Sequence, residues 1–466
     1  MMIYLESLGC CRNQVDSEVM LGRLQQRGHG ITPDPSRAEV IIVNTCGFIA
    51  SASAQAIDAI LEMAGHKKTG ACRRLIVTGC LPERFKSDDI AAELPEVDAF
   101  LGIGACDDIV RAVEDTSGPV MTLLPDPALR SFQGHPHPRI LTTGHLAYVK
   151  VSEGCDRHCT YCIIPQLRGV QRSRPVKDIL TEVNALLAAG VKEIVLVAES
   201  TTDYGTDLCP PVSLSVLLES VSRSVKSAGY SPDTAWIRLL YTHPSSMNQQ
   251  IIHSISSLDM ICSYFDVPIQ HASTKVLKRM GRHYSTQDLY TLFEAIRSSA
   301  PDAALRTTII TGFPGETPKD FKELLAFVEA VRFNHLGVFP YSDSEDLKSH
   351  PLSGHVSEKT AKKRHDILME TQAGISAEIN RTHLGRTLRV LVEEKPDDGL
   401  YLGRTRFQAP EVDGMTFIYG SGLEIGSFVD VKITETFEYD LAGDVVNEAG
   451  PEKPDSLSGK PGPSCH

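Results

Sequence analysis

The chain has 466 residues, 42% of them hydrophobic and 23% charged, with a net charge of −13. That length exceeds one ordinary hydrophobic core, so two or three globular domains are expected. The acidic balance excludes a general electrostatic attraction for nucleic acid and favours a basic partner.

The N-terminus, Met1 to Leu8, lacks a basic n-region and a long apolar stretch, so no signal peptide is expected. Residues 1–125 alternate strand-like and helix-like runs. Ile3 to Leu8 reads as a strand, Asp16 to Arg27 as a helix, and Glu39 to Asn44 as a buried parallel-type strand. Ser51 to Ala64 reads as a helix and Arg74 to Thr78 as the next strand. This order predicts an open α/β sheet with a parallel core. A cysteine follows each of the three strands: Cys10, Cys46 and Cys80. Loops at the carboxyl ends of parallel strands gather on one edge, where ligands bind. The three thiols are therefore expected to meet as a three-thiolate site for a [4Fe–4S] cube with one iron left open. Any one of them alone would read as a buried core residue. Cys11, Cys72 and Cys106 lack this placement and read as bystanders.

Residues 126–145 are rich in Pro, Gly and His and read as a linker. Residues 146–382 follow as strand–helix alternation, with strands at Leu146–Val151, Glu193–Val197, Trp236–Leu240, Tyr264–Pro268 and Arg306–Ile310. About six such units predict a partial (β/α) barrel with its chemistry at the carboxyl ends of the strands. The first strand delivers Cys155, Cys159 and Cys162, spaced CxxxCxxC. Electron-transfer ferredoxins use four cysteines, so three thiolates again leave one iron of a cube without a protein ligand. A zinc knuckle would need a fourth Cys or His at a suitable spacing, and His158 between the cysteines is poorly placed to share their metal. Gly312 and Gly315 follow a barrel strand and permit close backbone approach to a ligand, although most such loops are plain turns.

Glu358 to Arg381 reads as a helix whose Lys359, Lys362, Lys363 and Arg364 form a solvated basic face. Residues 383–447 read as a small antiparallel barrel of the five-stranded type that often binds nucleic acid. Its six basic side chains stand against twelve acidic ones, a net −6 unusual for that role. Residues 448–466 are Pro/Gly/Ser-rich and read as a disordered tail. No run of about 18 apolar residues occurs, so no membrane span is expected. Twelve cysteines in a chain this long are not a disulfide framework. They point to metal binding or chemistry in a reducing, cytoplasmic setting.

The Cys155–Cys162 spacing is the signature of radical S-adenosylmethionine (SAM) enzymes. The wider pattern resembles their methylthiotransferase family over nearly the whole chain. The residues that carry this are Ser7-Leu8-Gly9-Cys10 with Asn13 and Val15-Asp16-Ser17-Glu18, Asn44-Thr45-Cys46-Gly47, Gly79-Cys80-Leu81, Ser152-Glu153-Gly154-Cys155, Arg168-Gly169 and Asp266 to His271. Ala409-Pro410-Glu411-Val412-Asp413-Gly414 is particularly similar to the RimO-type branch, the ribosomal protein aspartate methylthiotransferases. Two departures stand out. Cys11 replaces a usual proline, and Ala198-Glu199-Ser200-Thr201-Thr202 replaces a more usual Ala-Gln-Asp-Thr-Thr.

The resemblance implies two [4Fe–4S] clusters, an auxiliary one on Cys10, Cys46 and Cys80 and a radical-generating one on Cys155, Cys159 and Cys162. It implies SAM as methyl donor and radical source, Tyr161 beside the adenine, and Gly312 and Gly315 as cofactor contacts. It implies a C-terminal barrel of the TRAM type and a flavodoxin or ferredoxin as electron donor. The substrate it implies is an aspartate β-carbon of the basic small-subunit ribosomal protein number twelve, with Glu411 and Asp413 as candidate contacts to that protein. Opposite charge would steer this encounter and disfavour RNA. The runner-up is a tRNA adenosine methylthiotransferase, and a two-cluster electron carrier comes third.

Overall fold

In the computed structural model the described residues are 1–86, 90–115, 120–129 and 139–446. The expected tail and residues 130–138 of the expected linker lie outside them. Six parallel strands open the chain: β1 (Met2–Ser7), β2 (Gly30–Ile31), β3 (Val40–Thr45), β4 (Arg74–Gly79), β5 (Ala99–Leu101) and β6 (Met121–Leu123). They are ordered β2-β1-β3-β4-β5-β6. Every residue of β3 is buried, as a strand covered on both faces must be. One face packs on α2 (Ala50–Thr69) through Ala56, Ile60 and Met63. The other packs on α1 (Cys11–Gln26) and on the helix Ile109–Glu114, through Met20, Leu24, Ile109 and Val113. Each fully buried Ile or Val contributes about 1.5–3 kcal/mol. Cys72 and Cys106 are part of this packing.

The central domain has six parallel strands in two three-stranded sheets. The first sheet is β11 (Trp236–Leu239), β10 (Glu193–Val197) and β7 (Leu146–Lys150), with the short hairpin β8 (Ser152–Glu153) and β9 (Arg172–Ser173) beside it. The second is β12 (Tyr264–Asp266), β13 (Ala304–Thr311) and β14 (His335–Pro340). Single bridges at Ile237–Ile261 and Gln270–Ile309 complete the partial barrel. Helices wrap its outer face and bury a continuous apolar layer that includes Val183, Leu217, Ile252, Phe293 and Phe327. Local chemistry sets the helix starts: Thr317 and Asp320 form a reciprocal capping box around Pro318, and Ser285 and Asp288 form another.

A closed five-stranded barrel ends the described chain: β15 (Thr387–Asp397), β16 (Leu400–Thr405), β17 (Thr416–Tyr419), β18 (Phe428–Thr436) and β19 (Leu441–Val445), ordered β15-β16-β17-β19-β18. The β17–β19 pair is parallel and the other pairs are antiparallel. The helix Glu358–Arg381 precedes it, with the bounds expected, but its basic face is split. Lys359, Lys362 and Lys363 are exposed, whereas Arg364 is buried 3.3 Å from Glu316.

The end of β16 and the loop after it reach back and close the amino end of the partial barrel. Arg404 lies 2.5 Å from Glu193, the first residue of β10, and 2.6 Å from Glu393. Glu193 also lies 2.7 Å from Arg238. Two guanidinium groups flank one buried carboxylate, and Glu393 supplies the second negative charge that balances them. Asp413 belongs to this plug and not to a substrate surface. Its side chain is fully buried, accepts from the Tyr264 hydroxyl at 2.5 Å and the Ala409 N–H at 2.8 Å, and stands 3.5 Å from Arg306. Glu411 is exposed, in a left-handed backbone conformation with φ +67°.

Two variants separate these acids. Asp413→Ala strips acceptors from Tyr264 and Ala409 and leaves Arg306 short of a counter-charge, so it should cost on the order of 3 kcal/mol. Glu411→Ala should cost under about 1 kcal/mol. Urea denaturation midpoints compare the two, and equal losses would place Asp413 at the surface after all.

Candidate active site between two cysteine sets

Cys10 precedes α1, Cys46 follows β3 directly, and Cys80 follows β4 as the first residue of the short helix Cys80–Arg84. Because β1, β3 and β4 are neighbours, the three thiols share one edge of the sheet. The backbone is tight there. A Cβ on Gly9, at φ +103°, would stand 2.9 Å from the Cys46 Cβ, and one on Gly47 would stand 3.1 Å from the Cys80 carbonyl carbon. Only glycine lets these loops close on one another. Asn13, one turn into α1, accepts from the Cys10 and Cys80 thiols at 4.0 and 3.9 Å.

Cys155, Cys159 and Cys162 lie in the loop after β8. One cavity of ≈ 340 Å³ is lined by all six of these cysteines together with Phe48, Tyr161, Glu199, Tyr241, His243 and Gln270. The two trios therefore face a common space. Eleven cysteines are described and all are free.

The donor set suits iron–sulfur cubes. Burial pushes Cys155 up to about 11, Cys162 to about 12 and Cys80 to about 12, the last against the pull of Arg168. Burial raises Cys46 as well. Thiols held this far above neutrality need a metal's charge to become thiolates, which coordination supplies. Burial also opposes ionisation of Cys10, yet Arg12 and Arg168 outweigh it and hold that thiol below its ordinary value. Among the described residues no three His, Cys, Asp or Glu side chains converge to hold a single ion. A cube binds each thiolate to a different iron, so its ligands stand further apart than those of one ion.

Charged residues join the trios across the domain boundary. Lys150 reaches Asp16 and Glu153, both at 2.8 Å. Arg168 pairs with Glu153 and donates to Asn13 at 2.7 Å. Arg139 meets Glu18 and Glu182 at 2.5 Å. Glu199 is buried, 3.2 Å from Arg12 and 3.5 Å from Arg168. Burial raises its carboxyl above the usual range despite Arg12. His243 is pushed down to about 2 by burial and by Arg282 and Arg157, so it stays neutral.

Tyr161 lines the cavity, its hydroxyl accepting from Arg282 at 2.9 Å. Gly312 and Gly315 are not in that lining. Both are left-handed, at φ +77° and +87°, but their close approach is to the protein itself. A Cβ on Gly312 would meet Ala361, and one on Gly315 would meet the Arg279 guanidinium. Their N–H groups are engaged, Gly312 on Glu316 and Gly315 on the Gly354 carbonyl. Cys11 is buried, 3.5 Å from the Tyr241 hydroxyl, and is pushed up to about 11 by burial; it does not line the cavity.

Sequence reasoning passed over Arg12, Tyr241, His243 and Arg282. Tyr241 and Gln270 both take positive φ, +61° and +67°, a strain that concentrates at functional sites and leaves no mark in composition. Arg12 had a visible signal, standing two residues after a ligand-type cysteine.

Comparison with known proteins agrees with this division. Residues 2–102 match an uncharacterised protein family, UPF0004; residues 149–328 match the radical SAM superfamily; residues 384–446 match the TRAM domain. The structure is similar to a radical SAM methyltransferase, TsrM, from Kitasatospora setae, with TM-score 0.53 and 13% identity over 86% of this chain and 80% of that one, a likeness of fold alone. In sequence the chain is 51% identical to the ribosomal protein uS12 methylthiotransferase RimO of Desulfosudis oleivorans, over 95% of this chain and all of that protein. It is 45% identical to the protein of the same name from Clostridioides difficile, over 96% of this chain and 99% of that one. Identity of this degree across three domains leaves one assignment, and the chain belongs to the RimO family of radical SAM methylthiotransferases.

Proposed function

We propose that this enzyme attaches a methylthio group to the β-carbon of an aspartate in ribosomal protein uS12. The observation that carries the reading is the single cavity shared by both cysteine trios. In this reading Cys155, Cys159 and Cys162 hold one [4Fe–4S] cluster, and Cys10, Cys46 and Cys80 hold a second. When bound, clusters and SAM supply the methyl group, the sulfur and the radical that general acid/base groups cannot provide at neutral pH.

The chain's own residues then bind, orient and exclude water. Tyr161, fixed by Arg282, supplies a flat surface beside Cys162 for the nucleoside of SAM. Arg157 grips Asp203 with two hydrogen bonds, at 3.0 and 2.6 Å, and so braces the Cys155–Cys162 loop. The β-barrel is suited to a basic protein. Its exposed acids Glu394, Asp397, Asp398, Glu411, Glu424, Asp430, Glu435, Glu438 and Asp444 outnumber its exposed bases Arg386, Lys395 and Lys432. With Asp413 buried, Glu411 alone of the two candidate contacts stays available to uS12. A flavodoxin or ferredoxin would deliver the electron, and a cytoplasmic setting suits both donor and substrate. No helix among the described residues is long and apolar enough to cross a membrane.

Two measurements test this reading. Anaerobically reconstituted enzyme should hold about eight irons, and replacing Cys155, Cys159 and Cys162 together by Ala should leave about four. A count near four in the unaltered protein would remove the auxiliary site. In the second measurement uS12 and tRNA are offered at equal concentration to the reduced enzyme with SAM. Mass spectrometry should find the methylthio group on aspartate and none on adenosine; the reverse would move the chain to nucleic-acid modification.

A further inference from the structure

The cavity between the cysteine trios is lined by four arginines and one carboxylate. Three of the arginines have no buried nitrogen left without a hydrogen-bond partner. Arg157 is held by Asp203, Arg168 by Glu153 and Asn13, and Arg282 by the hydroxyls of Tyr161 and Tyr284 and the carbonyl of Pro268. Arg12 is the exception. It donates to the Ala198 carbonyl at 3.0 Å, but its Nε has no hydrogen-bond partner. Facing it is Glu199, whose two oxygens are buried and likewise accept no hydrogen bond. A guanidinium and a carboxylate thus stand 3.2 Å apart without forming the two-pronged pair their shapes allow. Buried polar groups left unmatched in this way require a reason.

We propose that Arg12 recognises the carboxylate of the side chain to be modified, and that Glu199 occupies its guanidinium until that side chain arrives. The inference rests on the aspartate reading above and assigns that substrate's recognition residue. Arg12 is suitably held for the task. Its guanidinium lies over the Tyr241 ring, 4.8 Å from the centroid, and the Ala198 carbonyl fixes one prong. Tyr241 is itself locked in a left-handed conformation. The guanidinium stands at the edge of the space that both trios face, two residues from Cys10. In aspartate the carboxylate carbon is bonded directly to the β-carbon. Clamping the carboxylate on Arg12 therefore positions the reacting carbon to within one bond, which is how orientation enters catalysis. Glu199 does not become isolated by the exchange, because Arg168 remains 3.5 Å away. Lysine could supply the charge but not the planar fork.

The test uses cluster-reconstituted enzyme and two forms of uS12, one with aspartate and one with asparagine at the modified position. The readouts are kcat and KM for methylthio transfer and the Kd of each uS12 form by fluorescence anisotropy. The unaltered enzyme should prefer aspartate by about 100-fold, the scale set by leaving a buried charge unpaired. In Arg12→Gln that preference should collapse towards unity, and Arg12→Lys should keep part of it. Glu199→Gln removes the resident competitor and should lower KM and Kd for the aspartate form several-fold, a gain that damage to the site cannot mimic. Iron content of each variant is measured alongside. Unchanged aspartate preference in an iron-replete Arg12→Gln enzyme would overturn the proposal, as would weaker binding by Glu199→Gln. If the unaltered enzyme modifies tRNA and neither form of uS12, the substrate reading itself fails and this assignment with it.

Discussion

Everything at the active site depends on how α1 is pinned to the central barrel. Asn13, Asp16 and Glu18 project from this one helix, and each meets a cation beyond its own domain: Arg168 and Lys150 of the central domain and Arg139 of the segment leading into it. These are buried contacts, so each charge has left water and depends on its partners, which include Glu153 for Lys150 and Arg168 and Glu182 for Arg139. Loss of one partner leaves the other under-compensated, at a cost of up to about 3–5 kcal/mol. The arrangement therefore tolerates one relative placement of the two domains and resists alternatives. That placement sets Cys10, Cys46 and Cys80 opposite Cys155, Cys159 and Cys162. A purely apolar interface of similar area would hold the domains together while permitting them to slide.

The same economy governs the lower end of the barrel. The amino end of the partial barrel carries buried polar side chains, Glu193 and Tyr264 at the first residues of β10 and β12. The segment from Arg404 to Asp413 covers this end, matching Glu193 with Arg404 and Tyr264 with Asp413. The small barrel is thus fixed to the catalytic domain by its own buried loop, and its acidic outer face is presented in a set orientation. The two domains are joined through buried ion pairs and hydrogen bonds.

Much of this was legible in the chain. Cys10, Cys46 and Cys80 could be grouped because parallel topology alone brings the ends of successive strands to one edge. The helix Glu358–Arg381 could be bounded because its serine cap and periodicity are local. Other features were hidden for physical reasons. Helix α1 begins at Cys11 and not at Asp16, because Asn13 and Asp16 look like poor helix formers until their partners on the other domain are known. Gly312 and Gly315 announce tight backbone, but a glycine needed against Ala361 reads the same as one needed against a ligand. Asp413 beside Gly414 resembles a surface turn. Its burial depends on Tyr264, 149 residues earlier in the chain.

The two cysteine trios differ in how far apart their members lie along the chain. Cys155, Cys159 and Cys162 sit within eight consecutive residues, so the polypeptide can present them together before any domain exists. Cys10, Cys46 and Cys80 are separated by whole strand–helix units and become neighbours only when β1, β3 and β4 have paired. Gathering distant ligands without a fold means closing long loops, and a site of that kind is absent from an unfolded chain. Assembly of the two trios is accordingly asymmetric. The first is complete once its eight residues are made, whereas the second exists only when the sheet has formed, so any group it is to hold can reach it only in an already folded protein.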